Sequence, residues 1–181
     1  MSGGKRGQQE VEVGSVSVHK TDPAWLTNDA IASYAEQVGV KNGIYEPTGR
    51  ANIDLLLRRL GGQLANAIDE ESSHVRERGA FTIFVPQLTS ARRDRFTIAH
   101  ELGHYFLHYL HAKEQGEKSF SRGGRDRAET EANVFASALL MPAEAFKAAH
   151  RAYSGDTWKL AAHFDVSPRA AEVRAQVLEL L

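Results

Sequence analysis

Cysteine is the residue type that this sequence lacks: there is none among the 181 residues. Its absence excludes disulfides, cysteine nucleophiles, thiolate zinc sites and iron–sulfur clusters. A bound metal ion would therefore have to be held by histidine, aspartate or glutamate. The eight histidines are unevenly placed, because four of them lie between residues 100 and 111. This crowding is the feature of the sequence that most needs an explanation.

An excess of charge of one sign is also missing. Lysine and arginine total 22, aspartate and glutamate total 23, and the net charge is −1 with neutral histidine. That balance argues against a protein built mainly to bind nucleic-acid phosphates or an anionic membrane surface. No apolar run approaches the ~20 residues of a membrane span, and the N-terminus has no apolar signal stretch. We therefore expect a cytoplasmic protein without a membrane partner.

The length fits one domain. Residues 1–24 are rich in glycine, serine, glutamine and lysine, apart from alternating valines between 11 and 18. They predict a disordered or weakly structured N-terminal segment with at most an edge strand. Residues 25–181 are expected to form a single domain.

Hydrophobic periodicity predicts a mostly helical domain with a small sheet, which is an α+β fold. The β-rich stretch 81–85, which ends at Pro86, predicts a strand, and the polar stretch 113–127 predicts a flexible loop. Ser90 is expected to cap the helix that begins at residue 91. The predicted helices cover about 28–38, 52–69 with a possible break at Gly61-Gly62, 91–111, 128–140, 142–151, 156–164 and 168–180.

The segment His100-Glu101-Leu102-Gly103-His104 carries the clearest chemical signal. Two histidines four apart on a helix lie on one face, about 6 Å apart along the axis, and can reach one zinc ion. Glu101 lies beside that face, where it can accept a proton from an attacking water. The flanking residues are apolar, so the helix is a core element whose polar groups need partners such as a metal. The alternative is a pair of histidines satisfied by solvent or by the core.

The sequence leaves the third ligand of such a site open. A third histidine six residues after the second is excluded, because that position is Leu110. His108 lies one turn beyond His104, which favours a place beside a ligand or in the pocket over direct metal binding. Glu129 and Glu131, on the next predicted helix, are the remaining candidates, and their spacing does not choose between them.

Two segments of the sequence form signatures: Arg95–His104 followed by His108, and Glu129–Ala136 running into 139–142. Both resemble signatures of the ImmA/IrrE family of metallopeptidases. In that family the glutamate before Ala-Asn is the third zinc ligand, so the resemblance implies Glu131. It covers residues 50–178 and implies a zincin-like core with one zinc ion per chain.

The resemblance also implies a function, since members of the family cleave helix-turn-helix repressors of phage, mobile-element or stress genes. We therefore expect a zinc endopeptidase whose protein substrate is a repressor or another small regulatory protein. Asn133 and Tyr105 are further candidates for residues close to the site. One alternative is a regulator or antirepressor that binds its partner without cutting it. Another is a DNA-binding regulator that uses residues 160–174, which look like a helix-turn-helix, although the near-zero net charge argues against it.

Overall fold

The computed structural model describes residues 21–122 and 124–181. The edge strand predicted around residues 11–18 lies outside these residues. The fold is α+β, as predicted. The helices are α1 (Asn28–Lys41), α2 (Ile53–Arg59), α3 (Ala91–Gly103), α4 (Arg127–Leu140), α5 (Ala143–Ala152), α6 (Thr157–Phe164) and α7 (Pro168–Val177). The strands are β1 (Gly62–Asn66), β2 (Glu71–Glu77), β3 (Ala80–Val85) and β4 (Lys118–Ser121), and a π-helix (His104–His111) follows α3 directly.

The sheet has the strand order β1-β3-β2-β4, with β1 parallel to β3 and the other two pairings antiparallel. Only β3 was predicted. The helix predicted to continue to residue 69 was wrong beyond Arg59, because Gly61 turns the chain into β1 with a φ of 76°. A Cβ at this position would lie 2.0 Å from the Gly79 carbonyl oxygen, so this close approach of two backbone segments requires glycine. The loop predicted over 113–127 contains β4, whose Phe120 is buried.

The helix that carries the His-Glu motif packs against α4. Ser90 caps α3 as predicted, since its side chain accepts a hydrogen bond from the Arg93 amide. At the other end of α3, a Cβ on Gly103 would lie 3.0 Å from both the Cα and the carbonyl oxygen of Ala132. This tight contact brings the motif next to the first turns of α4. The α-helix predicted over residues 91–111 is α-helical only to Gly103. From His104 it continues as the π-helix.

The C-terminal helices dock on the rest of the domain through buried and partly buried polar contacts. Arg174 of α7 donates its Nε to the Met141 carbonyl at 2.9 Å and its Nη2 to Glu36 Oε1 at 3.2 Å. Asp165, which ends α6 in a left-handed conformation, accepts a hydrogen bond from Arg50 at 2.8 Å. Among the described residues, no helix is both long enough and apolar enough to cross a bilayer.

Candidate metal centre

Three side chains from α3, the π-helix and α4 meet at one point. His100 and His104 place their Nε2 atoms 3.1 Å apart. The Glu129 carboxylate lies against both rings, with Oε2 3.3 Å from His100 Nε2 and Oε1 3.1 Å from His104 Nε2. Glu129 can reach them because it lies in the first turn of α4, which Asp126 caps.

The spacing of these donor groups is compatible with a zinc ion. Ligands at 2.0–2.1 Å in a tetrahedral arrangement are roughly 3.3–3.4 Å from one another. The two Nε2 atoms are 3.1 Å apart, and each lies 3.1–3.3 Å from a different oxygen of the Glu129 carboxylate. One ligand atom from each of the three residues lies within 4.8 Å of the other two. Two imidazole nitrogens and one carboxylate oxygen are also a donor set of catalytic zinc sites. His100, His104 and Glu129 can therefore hold a zinc ion and leave a position open for substrate or solvent.

The electrostatics of the cluster favour a cation. Burial alone would raise the pKa of Glu129, but hydrogen bonds from His100 and His104 outweigh it and lower that pKa to about 2. Burial disfavours the charged form of His100, yet the hydrogen bond to Glu129 and the nearby carboxylates raise its pKa overall. The carboxylate is thus ionised at neutral pH and attracts positive charge to the two rings.

Glu101 lies beside the cluster and is held by two serines. Its carboxylate is buried, and its Oε2 accepts hydrogen bonds from Ser72 Oγ at 2.9 Å and Ser73 Oγ at 2.7 Å. The β2–β4 register shifts between Glu71 and Ser73, and such an irregularity allows two consecutive side chains to reach one carboxylate. Sequence reasoning missed both serines, because their segment carries no clear strand pattern.

A cleft of about 280 Å³ opens onto the centre. It is lined by His100, Glu101 and Glu129 together with Arg93 and Arg122, among others. A ligand in this cleft would therefore meet His100, Glu129 and Glu101 together with cationic side chains, whereas His104 is buried behind the cleft.

Two predicted neighbours of the ligands lie where they can orient the rings. Asn133 Oδ1 is 2.9 Å from His100 Nδ1, so it accepts that N–H when His100 uses Nε2 for a metal. His108 Nδ1 is 3.0 Å from His104 Nδ1. The ring of Phe120 stacks on His104 with centroids 5.1 Å apart, a contact that sequence reasoning missed.

Glu131 is not part of the cluster, in contrast to the assignment that the family resemblance implied. Its Oε2 lies 3.0 Å from His108 Nε2 and accepts the Ala24 amide at 2.7 Å, and the side chain is buried. Residues two apart on an α-helix point about 200° apart, so only one of the two glutamates can face His100 and His104. The structure gives that position to Glu129.

Tyr105 also lies away from the cluster. Its hydroxyl accepts the Gly79 amide at 3.0 Å, and its ring stacks on Phe81 with centroids 4.2 Å apart. It lines a different cavity of about 620 Å³, which none of the three clustered side chains lines. Consecutive residues of a helix point in different directions, so Tyr105 faces the sheet while His104 faces α4.

These features together define a metallopeptidase-type site: two histidines four apart, an adjoining glutamate and a carboxylate from the next helix. The family model for peptidase M78, described as the IrrE N-terminal-like domain, matches residues 52–176. The chain belongs to this family, which confirms the resemblance seen in the sequence. A search of curated proteins finds no match.

Proposed function

We propose that the protein is a zinc-dependent endopeptidase whose metal ligands are His100, His104 and Glu129. The observation that carries this proposal is the convergence of three side chains: the His100 and His104 Nε2 atoms are 3.1 Å apart, and each lies 3.1–3.3 Å from one oxygen of the Glu129 carboxylate. The family supports a metal-dependent peptidase, and the donor set favours zinc over the hard cations that prefer all-oxygen sites. We expect one zinc ion per chain.

In the proposed mechanism, the metal ion and the residues around it have separate roles. When bound, zinc supplies Lewis acidity toward a peptide carbonyl and toward water. Glu101 takes the proton of the attacking water and delivers it to the leaving amine nitrogen. Ser72 and Ser73 hold one oxygen of Glu101, which fixes the orientation of the carboxylate.

The proposed substrate is a helix-turn-helix repressor or another small regulatory protein in the cytoplasm. Its basis is the family to which the chain belongs, together with the substrate class that the resemblance in the sequence implies. The cleft adds a preference, because Arg93 and Arg122 line it and favour a substrate segment with acidic side chains. A repressor encoded next to the gene for this protein is the first substrate to test.

Glu101→Gln is the test of the proteolytic mechanism. The amide cannot accept the proton, so cleavage should fall by roughly 10²–10⁴-fold, while zinc content stays at that of the wild type. Metal analysis gives the zinc content, and mass spectrometry of the incubated repressor gives the products.

His100→Ala is the matched control, since it should lose both zinc and cleavage. Undiminished cleavage by Glu101→Gln would contradict the role of Glu101. If regulation in cells survives Glu101→Gln intact, the protein acts as a non-proteolytic antirepressor.

A further inference from the structure

The buried pair His108–Glu131 is not used by the proposed cleavage chemistry, yet it touches a metal ligand. His108 is fully buried and Glu131 is 2% exposed. Burying a charged carboxylate and an imidazole is costly unless each polar atom has a partner. The contacts of this pair therefore indicate a role beyond filling the core.

A single assignment of protons satisfies the whole chain of contacts. When His104 uses Nε2 for a metal, its proton lies on Nδ1. That N–H can donate to His108 Nδ1 at 3.0 Å only if the proton of His108 is on Nε2. The Nε2–H of His108 then donates to Glu131 Oε2 at 3.0 Å. The carboxylate thus fixes the tautomer of His108, and His108 fixes the ring of His104.

Both histidines of this hydrogen-bond chain lie on the π-helix. His104 begins the π-helical stretch and His108 lies within it. Side chains four apart on a helix are neighbours, and here the two rings meet through their Nδ1 atoms. Single π-helical turns inside α-helices are frequent at functional sites.

The Glu131 carboxylate ends this series of hydrogen bonds, and it is held in part by residues outside the matched family domain. The amide of Ala24 donates to Glu131 Oε2 at 2.7 Å, and the amide of Trp25 donates to Oε1 at 3.1 Å. Arg127 Nε also donates to Oε1 at 3.0 Å. The carboxylate therefore accepts four hydrogen bonds, two of them from a segment that precedes residues 52–176.

Arg127 also contacts the segment around Trp25 directly. Its Nη2 donates to the Leu26 carbonyl at 3.1 Å, and its guanidinium lies 4.8 Å from the centre of the Trp25 ring. Trp25 has a φ of 59°, a strained conformation for a bulky residue that only strong local contacts sustain. We call residues 24–26 the N-terminal strap.

We propose that Glu131 and His108 are positioning residues for His104, and that the N-terminal strap holds Glu131 in place, so that a segment before the family domain contributes to metal retention. The inference rests on the proposed metal site. Partners of metal-bound histidines commonly contribute 10–100-fold in metal affinity.

The test measures zinc affinity by competition with a chromophoric chelator, using the full-length chain. His108→Ala should weaken zinc binding by about 10–100-fold. His108→Gln keeps one acceptor and one donor and should restore most of the loss. The visible absorption bands of the Co²⁺-substituted protein should shift in His108→Ala and return toward those of the wild type in His108→Gln. His108→Leu fills the same space without a hydrogen-bonding group and should stay as weak as His108→Ala, whereas a merely space-filling role of His108 would let it recover as well.

The strap has its own matched pair of variants. Ala24→Pro removes the amide that donates to Glu131 and should weaken zinc binding by about three- to tenfold, the worth of one hydrogen bond. Asp22→Pro, two residues earlier, removes an amide that makes no hydrogen bond within the described residues, and should leave the affinity unchanged. Circular dichroism of the metal-free variants verifies that each one is folded.

The outcomes separate this inference from the proposed function. Wild-type zinc affinity in His108→Ala, or equal losses in His108→Ala and His108→Gln, would overturn the positioning role. Wild-type affinity in folded Ala24→Pro would overturn the role of the strap. If the unaltered protein and His100→Ala bind zinc equally, the metal site itself fails and the inference fails with it.

Discussion

Glu129 and Glu131 lie two residues apart on α4 and have different surroundings. The side chain of Glu129 is 20% exposed and faces two imidazoles, so a metal ion can replace the protons that it now shares with them. Glu131 is saturated by four donors and has no lone pair directed at the cluster. One carboxylate is therefore suited to bind a cation, and the other to hold a neighbouring ring.

Glu129→Gln tests this division of roles. Replacing a charged ligand by a neutral amide should weaken zinc binding by more than about 100-fold, beyond the range typical of outer partners. Chelator competition measures the change, and Glu144→Gln, an exposed glutamate on α5, is the control that should bind as the wild type does. Unchanged zinc affinity in Glu129→Gln would mean that another residue is the third ligand.

The sequence predicts the proposed metal ligands only where they are close together along the chain. His100, Glu101 and His104 lie within five residues, so their chemistry is visible in the pattern itself. The choice between the two glutamates depends on which face of α4 meets His100 and His104. Glu131 is turned instead toward Ala24 and Trp25, which lie 107 and 106 residues before it. No local pattern encodes such long-range contacts, so the spacing alone could not choose between Glu129 and Glu131.

At the scale of secondary-structure elements, the geometry of the site depends on how closely α3 approaches α4. Gly103 lies at this contact, where an added methyl group would meet backbone atoms of Ala132 at 3.0 Å. Backbone cannot move aside as a flexible side chain would. The separation of the two helices, and with it the distance from His100 and His104 to Glu129, is therefore set by the absence of a side chain at residue 103.

Gly103→Ala should push the two helices apart. We expect a loss of about 1–3 kcal/mol in the free energy of unfolding, as for other overpacked cores, even though alanine favours helix more than glycine does. Urea denaturation of the metal-free protein measures it, and chelator competition should show weaker zinc binding. A gain in stability with unchanged zinc affinity would mean that the α3–α4 contact is loose.

Helices were easier to predict than strands, for a physical reason. The helices bury stripes with a period near 3.6 residues and begin at caps such as Ser90, both of which are local signals. In β1, Leu64 and Ala65 continue the apolar spacing of α2, and only Gly61-Gly62 marks the change. β4 is four residues long, and its partner β2 lies more than 40 residues earlier, so the pairing leaves no periodic signal.

At the scale of the whole molecule, the position of α7 bears on the DNA-binding alternative. A helix that reads DNA needs cationic side chains directed outward. Arg174 is 3% exposed and is used inside the protein by Glu36 and the Met141 carbonyl. Arg169 is exposed but forms an ion pair with Glu172 at 2.7 Å. Together with the net charge of −1, these contacts favour α7 as a structural element that closes the domain.

We therefore expect substitutions of the two arginines on α7 to change the free energy of unfolding by different amounts. Arg174→Met removes the cationic partner of Glu36, which keeps only the Ala143 amide among the described residues, and leaves the Met141 carbonyl buried without a donor. The free energy of unfolding should therefore fall by about 2–4 kcal/mol. Arg169→Met removes only an exposed ion pair and should cost less than about 1 kcal/mol. Urea denaturation of the two variants measures both values. Equal, small losses would show that α7 is held without the buried arginine, and would reopen the case for a helix able to leave the domain and bind DNA.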